Sequence, residues 1–267
     1  MAPRAGRDDA LVRAAVASAI LIGRRSLSRF VELQGMDRSM ALAGQAFAAL
    51  MPLLIVVGAA TPAGGEDLVE GIIKRVDLSG DAAETLRAAV AAPAEVYDSV
   101  SVTGALLLVI SALSFTRALQ RLYILAWRLQ PLGMRGNKWG LAWLAAFSVV
   151  CSLQPGVVSL FNGALAVAVT IALSCALWLF TPWILVGKAI PWRRLVPQAV
   201  LTSFGLGVLT VASAIYLPRA LASAASQFGF IGVGFAMLSW LFLVSFVLVA
   251  AAALGATLAE PAGDAGQ

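Results

Sequence analysis

Arg117 and Arg121 stand four residues apart in the stretch SFTRALQRLYILAW, so their guanidiniums share one helix face about a turn apart. At the inner end of an apolar span, such a pair either snorkels to lipid phosphates or holds an anionic headgroup through its fork geometry. Arg193 and Arg194, in PWRRLVP, repeat the theme in a later basic loop and are further candidates for headgroup binding. Acids are scarce beside these bases. Between Asp98 and Glu260 there is no Asp or Glu, and the chain has no His. A protonatable relay through the later apolar segments therefore has no residues to run on. Metal-assisted hydrolysis lacks its cluster of His, Asp or Glu ligands. A Ser-His-Asp arrangement is ruled out, and a Ser-Lys pair would need a lysine at membrane depth, whereas Lys74, Lys138 and Lys188 all fall in loops. The expectation is a protein that is not an enzyme, with no catalytic residues, metal or cofactor. Sodium coordination by carbonyls and hydroxyls stays open, because it needs no carboxylate.

The polar groups inside apolar segments are few. Gln45, Gln154 and Gln198 are candidates for interhelical hydrogen bonds or substrate contacts. Pro52, Pro155 and Pro182 each remove a backbone donor and are candidates for kinks or gating points. Cys151 and Cys175 lie in apolar runs and read as small hydrophobes rather than as a disulfide or metal pair.

The elements that must position these residues follow from charge-free runs. Trp139–Val186, 195–218 and 220–259 contain no charged residue. The composition is 60% apolar and 12% charged, with a mean hydropathy of +0.89. A bilayer takes about 20 apolar residues per helical span, and backbone groups in lipid must be satisfied within their own segment. The fold expected is an all-α polytopic membrane bundle of six transmembrane helices, at about 40–60, 102–124, 139–160, 164–186, 196–217 and 231–257. Residues 1–39 are expected to form a cytoplasmic interfacial helix, since Val16, Ile20, Leu27 and Val31 recur at helical spacing among arginines. A helix packed beneath the bundle is the alternative. Segment 61–101 holds eight of the fourteen acidic residues. It reads as two outer amphipathic helices broken at Leu78-Ser79-Gly80, the second opened by a capping box of Asp81 and Glu84. Residues 259–267 form a polar tail. The run 14–22 is a poor signal peptide because Arg24-Arg25 follows it, so the N-terminus is expected to be retained.

Charge sets the orientation. Segments 1–38, 117–138 and 188–194 carry seven, five and three Lys or Arg, against three in 61–101 and Arg219 alone in 217–230. That bias places both termini in the cytoplasm. The net charge of +5 reflects bases at span ends, which calls for anionic headgroups rather than nucleic acid.

Four stretches resemble the YihY/BrkB family of bacterial inner-membrane proteins, historically labelled ribonuclease BN. They are ALAGQAFAALMPLLIVV, SFTRALQRLYILAWRL, PWRRLVPQAVLTSFGLG and QFGFIGVGFAMLSWLFLVSFVLVAAAALGATLAE, in family order across roughly residues 25–260. The chain departs from the family at Gln45-Ala46-Phe47, at QFGFIG, and at Gly255-Ala256-Thr257, where relatives carry a carboxylate. The resemblance implies localisation in the bacterial inner membrane and a role in envelope integrity. It further implies moving or supplying phospholipid to outer layers, alongside a periplasm-spanning lipid-transfer partner. The ribonuclease label finds no supporting residues. Two other readings compete with lipid handling: a scaffold whose outer segment docks a periplasmic partner, and a small-solute transporter or exporter.

Overall fold

With no solvent to bond their amides, the uncharged runs can only close hydrogen bonds along their own axis. The computed structural model describes residues 5–60, 94–133 and 135–260, with Glu70, Ile73, Gly80, Ala83, Glu84 and Arg87 between them. Apart from short connections, the described chain is α-helical. The helices are α1 (Ala5–Glu32), α2 (Gly35–Ala60), α3 (Ala94–Ala126), α4 (Arg135–Ser159) and α5 (Gly163–Leu185). A final run, Trp192–Ala259, is broken at Gly229 into α6 (Trp192–Gly229) and α7 (Ile231–Ala259). Among the described residues, four helical stretches are long and apolar enough to cross a membrane: Leu106–Ala126 of α3, α5, α6 and α7. At 1.5 Å per residue, α2 and α4 also have crossing length, about 38 Å each.

The helices form a ring. α2 packs on α3 and on the α6–α7 hairpin, α3 on α4, α4 on α5, and α5 on the hairpin again. The hairpin folds back antiparallel, since Gly255 abuts Gln198 and a Cβ on Gly205 would lie 2.6 Å from Val247 Cγ1. Its turn depends on two glycines. Gly229 has φ 59° and ψ −141°, a region open essentially to glycine alone, and a Cβ on Gly232 would collide with the Ala224 carbonyl. α1 lies outside the ring against α7, where Phe30 meets Phe246 edge-to-face at 5.5 Å.

Burial is concentrated at one end. Among the described side chains, burial runs only to Ala43 on α2, begins at Thr116 on α3, ends at Trp143 on α4 and begins at Thr181 on α5. On α6 it reaches Ser203 and resumes only at Leu221 and Ala225 near the hairpin turn; on α7 it begins, beyond Gly232, at Ser245. At 1.5 Å per residue this is a packed slab about 15 Å thick. Its core joins Leu42, Leu122, Tyr123, Leu185, Leu195 and Val249, and small residues such as Ala252, Ala253 and Ala256 let α7 approach closely. The basic loops border this slab. Toward the far end, burial among the described residues is sparse, limited to Ile73, Ala83, Leu221, Ala225 and Gly232, and Leu160 at the α4–α5 turn is 76% exposed.

Several boundaries differ from the sequence reading. α3 begins at Ala94, inside the segment expected to lie over the outer face up to residue 101. α2 begins at Gly35 rather than near 40, after a turn in which Gln34 has φ 51°. The fifth expected span does not end at Pro218-Arg219: α6 runs through both, with the Arg219 guanidinium donating to Ile215 O at 2.7 Å. Proline costs that helix one bond without ending it, and the reversal falls at Gly229 instead. The Asn162-Gly163 turn is as read, with Gly163 at φ 57°. In the outer segment Gly80 turns at φ 63°, Ala83 and Glu84 donate to Gly80 O, and Arg87 Nε donates to Glu70 Oε1 at 2.8 Å. Asp81 lies outside the described residues, as do the side chains of Pro52, Cys151 and Pro155.

Candidate functional site

The packed slab is held by polar contacts between helix ends. The sequence reading treats Arg117 and Arg121 as the groups of interest on α3, but the residue between them faces inward. Gln120 is buried and its Nε2 donates to Leu185 O at 2.7 Å and to Gly136 O at 3.5 Å, tying α3 to α5 and α4. On a 3.6-residue helix, the face opposite Leu119, Leu122 and Tyr123 then points outward, and both arginines are exposed. Both guanidiniums therefore lie on the face of α3 turned away from the core.

Among the described residues the buried base is Arg29, on α1, at 6% exposure. Its Nη2 and Nε donate to Ala126 O at 2.8 and 3.2 Å, and its Nη1 donates to Glu260 Oε1 at 2.6 Å. Ala126 is the last residue of α3, so the guanidinium meets a carbonyl at the negative end of that helix's dipole. Glu260 caps the end of α7. One side chain therefore joins three helix ends. Glu260, for which the sequence offered no assigned partner, is paired with Arg29. A sequence signal for this existed: Ser26, Arg29, Phe30 and Leu33 form a 3–4 spaced stripe. Alongside it, Arg128 Nη2 donates to Glu32 Oε2 at 3.1 Å on the surface.

The glutamines separate. Gln198, 1% exposed, accepts from Trp127 Nε1 at 2.8 Å, binding the end of α3 to the start of α6. That is the interhelical role. Gln45 is half-buried on α2, and its Oε1 is buried without a hydrogen-bond partner, as is the Ser203 hydroxyl on α6. Gln154 is half-buried on α4, outside the slab. Pro182 is buried within α5, and Val186 N still donates to Pro182 O at 3.0 Å, so α5 continues past it to Leu185. Beside it, Trp143 Nε1 donates to Thr181 Oγ1 at 3.1 Å. Cys175 is a free, half-buried thiol on the same helix.

Arg193 and Arg194 occupy the exposed first turn of α6. No acid shares that turn, and its N-cap, Pro191, offers no side-chain hydrogen bond. The Arg193 guanidinium lies 5.5 Å from the Trp192 ring centroid. Lys188 precedes them on the α5–α6 loop, with its ammonium 4.7 Å from the Trp183 ring centroid and 5.5 Å from that of Trp139. Arg29, Gln120, Trp127, Thr181 and Lys188 are thus the residues that spacing alone did not single out. No family model matches the chain, and neither a curated protein nor a solved structure matches it.

Proposed function

We propose that this protein is a non-enzymatic, six-span protein of the bacterial inner membrane that handles phospholipid in support of envelope integrity. In this reading α2 to α7 are the spans, both termini are cytoplasmic, and α1 lies in the inner interface with Val16, Ile20, Leu27 and Val31 toward the acyl chains. The observation that supports it is the uneven packing: a densely buried slab at the basic end and, among the described side chains beyond it, mostly half-buried or exposed ones. Such a bundle is closed to water on the side of its bases and offers apolar, laterally accessible helix surfaces on the other. An acyl chain suits those surfaces, and a hydrated solute does not. The charge bias and the YihY/BrkB resemblance point the same way, and Arg117, Arg121, Arg193 and Arg194 become contacts for inner-leaflet phosphates. A periplasm-spanning lipid-transfer protein is the partner this reading calls for.

The test is retention and movement of lipid. Protein washed exhaustively in neutral detergent is analysed by native mass spectrometry, then reconstituted for exchange of a fluorescent phospholipid between leaflets or acceptor vesicles. Bound phospholipid together with accelerated exchange is expected. Protein free of lipid and without exchange, but permeable to a small solute, would instead establish a transporter. Capture of an outer partner with neither lipid nor permeation would establish a scaffold.

A further inference from the structure

The connection between α5 and α6 holds one lysine in a fixed place. After Leu185 the chain turns through Gly187 and Lys188, both at φ 64°. That conformation costs a side-chain-bearing residue roughly 1–2 kcal/mol. Lys188 nevertheless adopts it, its amide donating to Trp183 O at 2.9 Å. The result is an ammonium set against the rings of Trp183 and Trp139, within the roughly 6 Å over which a ring quadrupole attracts a cation. Trp139 is itself fixed from below. A Cβ at position 187 would lie 3.1 Å from its Nε1 and 3.4 Å from Leu132 Cδ2, so the glycine lets the α3–α4 loop and the α5–α6 loop dock. Lys138, expected in a loop, is exposed on the first turn of α4 and is the chain neighbour of Trp139.

The charges at this corner have no internal counterpart. Residues 127–138 and 186–195 contain no acid. Of the described carboxylates at this end, Glu32 is taken by Arg128 and Glu260 by Arg29, and Asp37 lies on the first turn of α2. Arg193 and Arg194 moreover add to the positive end of the α6 dipole instead of offsetting it. Ring faces attract an ammonium without neutralising it. A bound anion would offset both the unpaired charge and its unfavourable place at the helix N-terminus.

We propose that Lys188, Lys138, Arg193 and Arg194, set on Trp139, Trp183 and Trp192, form a binding site for the phosphate of an anionic phospholipid headgroup. The net charge of the ligand follows from the missing acid: the three indoles already carry Lys188 and Arg193, so the choline or ethanolamine cation of a zwitterionic lipid would meet only like charge. The indoles suit the level where headgroup meets acyl chain, and the bases suit the phosphate above it. The inference rests on the proposed membrane placement, since it takes the basic end to lie among headgroups.

Full-length protein in neutral maltoside micelles is titrated separately with short-chain phosphatidylglycerol, short-chain phosphatidylcholine and inorganic phosphate, with tryptophan emission as the readout. Phosphatidylglycerol should shift the emission saturably and phosphatidylcholine should not. Lys188→Gln should weaken the midpoint about fivefold and Lys188→Gln with Arg193→Gln about 25-fold, while Lys188→Arg retains affinity. Arg193→Gln alone, on the exposed first turn of α6, keeps the test alive if the loop variant does not fold. Equal responses to the two lipids, or an unchanged midpoint in the double variant, would overturn the site. Inorganic phosphate binding as tightly as phosphatidylglycerol, with the same Lys188 dependence, would overturn the lipid assignment in favour of a free anion. Lipid retained among the outer helix halves of Lys188→Gln protein would show that the proposed function stands even where this site fails.

Discussion

Replacing Arg29 with methionine removes the guanidinium while keeping an unbranched side chain of similar reach. Truncating one member of a fully buried pair costs about 3–5 kcal/mol, because the other charge is stranded. Here Glu260 is not stranded: its side chain is 47% exposed and relaxes into water. What remains is the Ala126 carbonyl, buried and deprived of both its guanidinium donors. An unsatisfied buried acceptor costs about 1–3 kcal/mol, so Arg29→Met should cost about 2 kcal/mol. For a chain of this size that is a fall of about 5 °C in melting temperature. Glu260→Gln leaves the carbonyl bonds intact and weakens only a half-exposed charge contact, about 1 kcal/mol or less. Arg29→Ala should be the worst of the three, since it also opens space beside Leu33 and Phe30. The assay is intrinsic tryptophan fluorescence melting of purified protein in one fixed detergent, with the Arg29→Met/Glu260→Gln double variant completing a cycle. The double variant should melt within about 0.5 kcal/mol of Arg29→Met alone. Full additivity, or a methionine variant as stable as the parent protein, would refute the idea that one side chain joins three helix ends.

Three further outcomes are expected. Single cysteines at exposed Glu84 or Leu160, in a background lacking Cys151 and Cys175, should react with an impermeant maleimide in intact spheroplasts. Cysteines at Gln130 or Ala189 should react only after lysis, and the opposite pattern would invert the topology. Because Arg117 and Arg121 are exposed, lysine should replace both with complementation retained in a strain lacking the protein, whereas the double alanine variant should lose about 1 kcal/mol of surface attraction per base removed. Loss of function in the lysine variant would restore a requirement for fork geometry. Gly229→Ala should lower folded yield sharply, by at least the 1–3 kcal/mol of a strained backbone residue. A yield matching that of an Ala substitution at Gly207, where a Cβ meets nothing within 4 Å, would show that the turn tolerates a side chain.

The sequence by itself determined the solvent class, because forty-eight consecutive uncharged and mostly apolar residues suit lipid rather than water, and a continuous apolar run without the alternation of a barrel strand satisfies its amides there as helix. It also located the Asn162-Gly163 turn and the run of bases at the start of α6, since glycine punctuation and charge at span ends are local signals. Partners were decided in three dimensions. Glu260 stands 231 residues from Arg29, and no spacing rule chooses between that base and the nearer-looking Arg117 or Arg121. Near a membrane interface a long basic side chain is tolerated on either face of a helix, so the apolar pattern of α3 did not say that Gln120 points in and its arginine neighbours out. Pro218 misled for a related reason. A proline forfeits one hydrogen bond, which a long apolar helix carries without ending, whereas the fold-back at Gly229 needs a backbone conformation that glycine alone adopts freely. Which end of the bundle is packed was likewise invisible in composition, because apolar residues fill both halves. Burial there follows from where helices converge, and convergence is set by pairs such as Gly255 with Gln198 and Gly187 with Trp139, which meet only once the chain has folded.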